Sequence, residues 1–281
     1  MAAGALAHAQ TFKTTVEHVA IPITIQGERN NPTLDLQPED FRVFDDGRPV
    51  AIAAFGKLRQ AVHVLLLLDT SRSMMASLEE VRAAAAAVID QLAAGDSIRV
   101  GTFSGQLRLS PPFSVDDREL AARIPLERGA NVTILYDALA EGCEAFTSEM
   151  GHRVIFVVSD GADTASSRTA RDVMLKAATS NVAIYAVGVD SREVTGRTSL
   201  VRAPDPALRE IAEDTGGRYV FAGTGRDFSR LLGPMMEELH QQYVLGFSPP
   251  QADGRLHSLV VTTRRSDVKI RARKHYVAPA R

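Results

Sequence analysis

The chain has 281 residues, of which 45% are hydrophobic and 23% are charged, a composition typical of a globular protein with a large buried core. Its 32 basic and 34 acidic residues give a formal net charge of -2, so no broad basic surface for binding nucleic acid is predicted. The single cysteine, Cys143, excludes an internal disulfide and a cysteine-based zinc cluster.

The amino terminus carries a weak export signal. Residues 1–9 resemble the end of a secretory signal peptide, with small residues at Ala7 and Ala9, although a basic start and a full apolar region are missing. The alternative is an alanine-rich terminus that is not a targeting signal. No apolar stretch approaches the roughly 20 residues needed to span a bilayer, so we expect no transmembrane segment. We expect an extracytoplasmic protein, located in the periplasm, on the cell surface or secreted.

The amino-terminal segment, residues 10–60, has the pattern of antiparallel strands. Hydrophobic residues alternate with more polar or small ones over 19–25, which is the period of a half-exposed strand. Two further strands, over 41–44 and 50–55, flank a turn at 45–47. These strands are too few to close a core alone.

The middle of the chain, residues 61–241, alternates strands with helices. Val62–Leu68 and Arg153–Ser159 are nearly continuous apolar runs, typical of parallel strands that are covered on both faces. A helix follows from Leu78, with Ser77 and Glu80 as a candidate capping box. The other predicted elements are strands over 98–103, 107–109, 182–189 and 218–221, helices over 116–124, 133–146, 169–178, 206–214 and 228–241, and a long loop before residue 206. This alternation predicts an α/β fold with a doubly wound, mainly parallel sheet.

The carboxyl-terminal segment, residues 242–281, returns to the strand pattern over 256–263 and 268–272. Like the amino-terminal segment, it has too few strands for a core of its own. We therefore expect 10–60 and 242–281 to pair into one small β-sandwich, from which the middle unit emerges as an insertion.

Oxygen-bearing side chains follow the two apolar strands of the middle unit. Asp69 and Asp160 end these strands, and in an open parallel sheet ligands bind beyond the carboxyl ends of the strands. Ser71 and Ser73 alternate with Asp69, and Thr133 opens the helix predicted over 133–146. Two carboxylates and three hydroxyls form a ligand set for a hard divalent cation. Because three of these five side chains are hydroxyls and only two are carboxylates, Mg²⁺ or Mn²⁺ is favoured over Ca²⁺.

These motifs resemble a known family. The pattern D-x-S-x-S, a downstream Thr and S-D-G after a hydrophobic strand are similar to the metal-ion-dependent adhesion site (MIDAS) of the von Willebrand factor A (VWA) domain, and the likeness to a bacterial group of VWA-related proteins covers nearly the whole chain. It extends over V-L-L-L-L-D-T-S-R-S-M, G-D-S-I-R-V-G-T-F-S, T-I-L-Y-D-A-L, V-V-S-D-G-A-D-T, T-G-G-R-Y and Q-Y-V-L-G-F-S-P. The resemblance implies that Asp69, Ser71, Ser73, Thr133 and Asp160 bind the metal. Arg72 departs from the glycine that is common at this place in the family.

The resemblance further implies a protein-binding, adhesion-type module that is not an enzyme, in which a Glu or Asp of a partner protein completes the metal coordination. A second hypothesis is a metal-dependent hydrolase or phosphotransferase, but a second acid is missing at Ser71 and no histidine partner for Ser71 or Ser73 is evident. A third is a structural domain that the metal only stabilises. Thr133 is alternatively a helix cap.

Overall fold

A computed structural model describes residues 19–27, 36–58, 60–111, 113, 130–146, 151–195, 198–202, 205–222 and 229–280. The helix predicted over 116–124 and the signal-like residues 1–9 lie outside this described part.

The middle of the chain forms a six-stranded sheet. With strands numbered in chain order, the spatial order is β12 (Tyr219–Phe221), β9 (Val182–Gly188), β8 (His152–Ser159), β5 (Val62–Asp69), β6 (Ser97–Phe103) and β7 (Leu107–Leu109). All neighbouring strands are parallel except β7, which pairs with β6 in the antiparallel direction. The central strands are hydrophobic on both faces because helices cover both.

Five α-helices pack on this sheet in the described part of the chain. Helices α1 (Leu78–Asp90) and α5 (Ser229–His240) cover one face, and α2 (Leu135–Glu144), α3 (Ala170–Ser180) and α4 (Pro206–Asp214) cover the other. A hydrophobic core lies on each face of the sheet, and alternate side chains of β5 belong to the two cores. Leu66 packs with α1 and α5, whereas Leu65 packs with α2. The predicted doubly wound α/β fold is confirmed.

The two ends of the chain form two antiparallel sheets with a hydrophobic core between them. The first sheet has the order β15 (Val268–Ala272), β1 (Val19–Gly27), β13 (Tyr243–Phe247) and β4 (Ile52–Lys57). The second has the order β16 (His275–Val277), β14 (Leu256–Thr263), β2 (Phe41–Asp45) and β3 (Arg48–Val50), and a short 3-10 helix, Pro38–Asp40, precedes β2. Strands from both ends occur in each sheet, so the expected β-sandwich of the two termini is confirmed.

The α/β unit leaves and re-enters the sandwich at neighbouring points. It follows β4 and ends before β13, and these two strands pair with each other. At the junction, the N–H of Leu58 donates to the carbonyl oxygen of Gln242 at 2.8 Å. The α/β unit is therefore an insertion between two adjacent strands of one sheet.

The prediction of one long loop before residue 206 is wrong in part. The segment contains an antiparallel hairpin formed by β10 (Ser191–Thr195) and β11 (Thr198–Arg202). Two residues of the sequence, Gly196 and Arg197, separate the two strands.

Two expected helix caps also need correction, although α1 begins at Leu78 as predicted. A 3-10 segment, Arg72–Ser77, precedes α1, and the Ser77 side chain makes no capping hydrogen bond, so the capping box with Glu80 is not formed. The helix predicted from Thr133 begins at Leu135, with Ile134 at the N-cap position, so Thr133 is not the helix cap. In the first case the chain enters the helix from a 3-10 segment, and in the second from a loop.

Candidate metal site

The two acidic residues lie at neighbouring strand ends. Strand β5 pairs with β8, and Leu68 is opposite Val158, so Asp69 at the end of β5 and Asp160 just after β8 meet at one edge of the sheet. From β5 the chain passes through α1 to β6 on one side, whereas β8 lies on the other side. This reversal opens a crevice at the carboxyl ends of the strands, which is where open α/β sheets bind ligands.

Asp69 is fully buried and held at both carboxylate oxygens. Its Oδ2 accepts a 2.6 Å hydrogen bond from the Ser159 hydroxyl, and its Oδ1 accepts a 2.9 Å bond from the N–H of Ser71. The hydroxyls of Ser71 and Ser73 lie 3.1 Å apart. Asp69, Ser71 and Ser73 therefore form one group of oxygen atoms.

Asp160 is only 3% exposed and has one unengaged oxygen. Its Oδ1 accepts a 3.1 Å hydrogen bond from the N–H of Ala162, but its Oδ2 is buried with no hydrogen-bond partner in the described part of the chain. A buried carboxylate oxygen without a partner costs free energy, and a cation ligated at this oxygen would remove that cost. The residues thus fit a divalent cation.

The electrostatics of the site favour a bound cation. Burial raises the pKa of Asp69 to about 7, and the nearby carboxylate of Asp160 raises it further, against the hydrogen bonds from Ser159 and Ser71 that lower it. A divalent cation between the carboxylates would offset both effects and keep Asp69 ionised.

The backbone of Thr133 is fixed by the segment that follows Asp160. Its N–H donates to the Thr164 hydroxyl at 2.8 Å, and its carbonyl oxygen accepts the N–H groups of Thr164 at 2.9 Å and Ala165 at 3.1 Å. Arg72 reaches the same loop, since its Nη1 lies 3.5 Å from Oδ1 of Asn131. The loop that carries Thr133 is therefore held between the segment after Asp69 and the segment after Asp160, and Thr133 is 4% exposed.

The sequence did not predict that two further residues, Ser159 and Thr164, position the site. Ser159 connects the strand ends, since its hydroxyl donates to Asp69 and accepts the N–H of Gly161 at 3.0 Å. Thr164 fixes the backbone of Thr133. Both residues belong to the V-V-S-D-G-A-D-T motif, which is the sequence signal that could have found them.

A separate acidic group lies in the sandwich. Ligand atoms of Asp45, Asp46 and His257 all lie within 4.8 Å of one another. The imidazole is already engaged at both nitrogens, through Nδ1 with Asp45 at 2.8 Å and through Nε2 with Asp253 at 3.1 Å. Asp45 also accepts a 2.9 Å bond from the Tyr276 hydroxyl. This group satisfies itself by internal hydrogen bonds, in contrast to Asp160.

Comparison with known proteins places this fold and crevice in a defined class. The family model of the von Willebrand factor type A domain matches residues 63–232, more than half of the chain, and the chain therefore belongs to the VWA domain family. No sequence among the curated proteins matches the chain. In the described part of the chain, no helix is long and apolar enough to cross a membrane.

Several solved structures share the fold. The conserved hypothetical protein BatB from Bacteroides thetaiotaomicron is 21% identical, with a TM-score of 0.52 over 64% of this chain and 98% of that chain. A von Willebrand factor type A protein from Catenulispora acidiphila is 15% identical, with a TM-score of 0.50 over 96% of this chain and 76% of its own. Proximal thread matrix protein 1 from the mussel byssus, described with a zinc-occupied MIDAS motif, is 16% identical, with a TM-score of 0.52 over 68% of this chain and 49% of that chain.

Proposed function

We propose that the chain is a metal-dependent protein-binding module. Asp69, Ser71, Ser73, Thr133 and Asp160 bind one divalent cation in the crevice at the carboxyl ends of β5 and β8. The observation that carries this proposal is the buried, unpartnered Oδ2 of Asp160 close to the buried carboxylate of Asp69. A divalent cation would supply both a contact for this oxygen and positive charge between the two carboxylates.

The ligand chemistry favours Mg²⁺ or Mn²⁺. All five proposed ligands are oxygen atoms, and only two are carboxylates, whereas Ca²⁺ commonly has more ligands and more carboxylates. The zinc in the mussel protein belongs to that protein, and zinc usually prefers nitrogen and sulfur ligands.

A partner protein completes the site with a Glu or Asp side chain. Two carboxylates balance a divalent charge if both bind directly, but the ion keeps positive character if either binds through water. An acidic side chain from outside then has both a charge and a coordination position to occupy. We propose an extracytoplasmic location, consistent with the signal-like residues 1–9.

An enzyme remains the second candidate, but the contacts favour it less. Ser71 and Ser73 contact each other, and neither has a hydrogen bond to a histidine in the described part of the chain. His63 contacts Ser97 at 2.7 Å, and His152 begins β8, so both lie at the opposite end of the sheet from the site. A nucleophilic serine needs a base within hydrogen-bond reach. We therefore propose that the module has no catalytic activity of its own.

The test is metal binding by Asp69→Asn. We expect isothermal titration to show Mg²⁺ or Mn²⁺ binding to the unaltered chain, and a loss of at least about 100-fold in the variant, which exceeds the usual effect of an outer-shell residue. The metal-free variant should unfold at the same temperature as the metal-free unaltered chain or higher, because one of two repelling buried carboxylates is gone.

Asp172→Asn is the matched control. Asp172 is an exposed carboxylate that caps α3 and accepts hydrogen bonds from Thr169. This variant should bind the metal normally. Equal affinity in Asp69→Asn and Asp172→Asn would refute the proposed site.

A further inference from the structure

Arg72 lies between two of the proposed metal ligands. It separates Ser71 from Ser73 in the chain, and its Nη1 lies 3.5 Å from Oδ1 of Asn131, two residues before the proposed ligand Thr133. Ser71 and Thr133 are buried, whereas Arg72 and Asn131 are exposed. The Arg72 guanidinium therefore lies on the solvent side of the two loops that carry the proposed hydroxyl ligands.

The present partner of this guanidinium is weak. A distance of 3.5 Å is long for a hydrogen bond, and the Asn131 amide has no charge. In the described part of the chain, no carboxylate pairs with Arg72. The Asn131 loop is held at the end of β6, since the N–H of Ala130 donates to the Ser104 hydroxyl at 3.1 Å. Arg72 thus offers N–H donors on the β6 side of the site, in the planar arrangement that suits a carboxylate.

Three further acids lie on the other side, near Asp160. Asp163 belongs to the loop that follows Asp160. Asp205 is close to the same loop, because a β-carbon added at Gly161 would lie 2.9 Å from the Asp205 backbone nitrogen. Asp190 follows β9, whose end is adjacent to the end of β8. An acidic side chain that approaches the ion is repelled on this side.

Two other basic side chains on nearby segments already have partners. Nη1 of Arg168 lies 3.3 Å from Oδ1 of Asp137. The guanidinium carbon of Arg209 lies 4.7 Å from the centre of the Tyr219 ring. Among these three arginines, Arg72 is therefore the one with a guanidinium available to an acid from outside.

We propose that Arg72 selects acidic partners by binding the same carboxylate that completes the metal coordination. This inference rests on the proposed function of the metal site. The partner's carboxylate replaces the neutral Asn131 contact with a charge-assisted hydrogen bond, which is the stronger kind. Because Arg72 has the same sign of charge as the ion, it opposes metal binding while it favours the partner. Its removal should therefore change the two affinities in opposite directions.

The experiment uses short peptides with one fixed central Glu, selected from a random library on the full chain in the presence of Mg²⁺. We expect Arg72→Gln to bind the selected peptides about tenfold more weakly, as for the loss of a hydrogen bond to a charged group. Without peptide, isothermal titration should show that its Mg²⁺ affinity is unchanged or increased by up to roughly threefold, because a like charge is gone. Arg72→Lys keeps the charge without the planar fork and should recover part of the peptide affinity.

Two variants are the controls. Arg42→Gln removes the same charge from an exposed position on β2 of the sandwich, and should change neither affinity. Asn131→Ala removes the present contact of Arg72 but keeps the guanidinium. This variant should bind the selected peptides as tightly as the unaltered chain or more tightly.

A spectroscopic measurement locates the contact directly. In the ¹⁵N-labelled full chain, the Nε–H signal of Arg72 is assigned by its disappearance in Arg72→Gln. We expect this signal to shift when a selected peptide is added with Mg²⁺. It should stay in place when the central Glu of that peptide is replaced by Gln.

The outcomes separate the two proposals. Three results overturn the role of Arg72 and leave the metal site standing: peptides that bind Arg72→Gln as tightly as Arg42→Gln, equal losses in Arg72→Gln and Asn131→Ala, or an Nε–H signal that does not respond to the peptide. A parallel loss of Mg²⁺ and peptide affinity in Arg72→Gln also overturns it, since that would show a structural role. A library that gives no Mg²⁺-dependent binder, or binders indifferent to Asp69→Asn, overturns the proposed function itself.

Discussion

Ser159 is a positioning residue for the metal site. Its hydroxyl donates to Oδ2 of Asp69 at 2.6 Å, and the same oxygen accepts the N–H of Gly161 at 3.0 Å. The bond to an ionised carboxylate is of the stronger, charge-assisted kind. Ser159 thereby fixes the orientation of Asp69 without being a proposed ligand.

Ser159→Ala should therefore weaken metal binding without abolishing it. We expect Mg²⁺ affinity to fall about 10- to 100-fold, the range found when an outer-shell partner is removed. Isothermal titration of the purified variant measures this change. Asp69→Asn should lose more, because it removes a direct ligand.

Ser97→Ala is the control for this prediction. Ser97 is also a mostly buried serine in the same sheet, and its hydroxyl contacts Nδ1 of His63 at 2.7 Å at the opposite end of the strands. Its loss should leave Mg²⁺ affinity unchanged. Equal losses in Ser97→Ala and Ser159→Ala would indicate a general effect on the sheet and contradict the role of Ser159.

The sequence was enough to predict the residue types of the proposed metal ligands, but not the residues that position those ligands. Asp69 and Asp160 each follow an apolar run that predicts a strand, and the sequence alone shows this pattern. Ser159 acquires its role only because β5 and β8 are neighbours. Sequence also could not show that Oδ2 of Asp160 has no hydrogen-bond partner among the described residues, since that depends on every group around it.

The carboxyl end of helix α5 is fixed by a pair of ionisable side chains. Nε2 of His240 lies 2.8 Å from Oδ2 of Asp96, which also accepts the N–H of Ala93 at 2.9 Å, while Oδ1 accepts the N–H of Val62 at 2.8 Å. The hydrogen bond to Asp96 raises the pKa of His240, against the opposing effect of burial. For Asp96, burial raises the pKa, but the bonds from His240, Val62 and Ala93 outweigh it and lower the pKa overall.

This pair should make stability depend on pH. Because the pKa of His240 is higher in the folded chain than in the unfolded chain, its bond to Asp96 stabilises the fold fully below the unfolded pKa of about 6.5. This contribution is lost as pH rises through the folded pKa. Because the pKa of Asp96 is lower in the folded chain, its contribution to stability is present above about pH 4, near its unfolded pKa. It is lost as pH falls through the folded pKa. The pair should therefore contribute most between about pH 4 and 6.5, by roughly 1 kcal/mol for its hydrogen bond.

Thermal unfolding from pH 5 to 9 tests this with His240→Gln. We expect the difference in free energy of unfolding between the unaltered chain and the variant to be largest near pH 5 and to shrink as pH rises. A difference that is constant over this range would show that the imidazole does not gain its proton affinity from Asp96.

Most strands and helices could be predicted because their patterns are long and regular. Strand β14 (Leu256–Thr263) and helix α4 (Pro206–Asp214) have the predicted bounds. The β10–β11 hairpin was missed because each strand has only five residues and the hydrophobic alternation is weak. The signal that could have found it is the sequence T-G-R-T, in which a glycine-containing pair separates two β-branched residues.

The whole molecule consists of two packed bodies joined through a polar junction. Glu238 of α5 accepts a 3.0 Å bond from the Tyr185 hydroxyl and pairs with Arg271 of the sandwich. The Thr24 hydroxyl of β1 donates to the same Glu238 at 3.5 Å, and Gln242 donates to the Tyr185 hydroxyl at 3.1 Å. These contacts join the last helix of the α/β unit to both ends of the chain.

We propose the domain division 61–241 for the α/β unit, with 10–60 and 242–281 forming the sandwich. The two cores of the α/β unit contain only residues between Val62 and Leu239, while the third core contains none of them. Residues 61–241 expressed alone should fold cooperatively and bind Mg²⁺ with unchanged affinity. They should unfold at a lower temperature, because Glu238 and Tyr185 lose their sandwich contacts. Circular dichroism melts and titration measure both, and a chain that does not fold alone would contradict the division.

The joining of the two ends could be predicted because neither end has enough strands for a core. The polar junction could not, because Tyr185 and Glu238 lie in elements that sequence alone describes as apolar or amphipathic. Their partners Thr24 and Arg271 are far away in the chain and are brought close only by the antiparallel pairing of β1 with β13 and β15.

Anomalous diffraction from crystals grown with Mn²⁺ tests the central claim most directly. We predict one strong anomalous peak at the carboxyl ends of β5 and β8, about 2 Å from those oxygen atoms of the Asp69 and Asp160 group that bind the ion directly. A crystal saturated with Mn²⁺ whose only peak lies elsewhere, for example at Asp45, Asp46 and His257, would contradict the account.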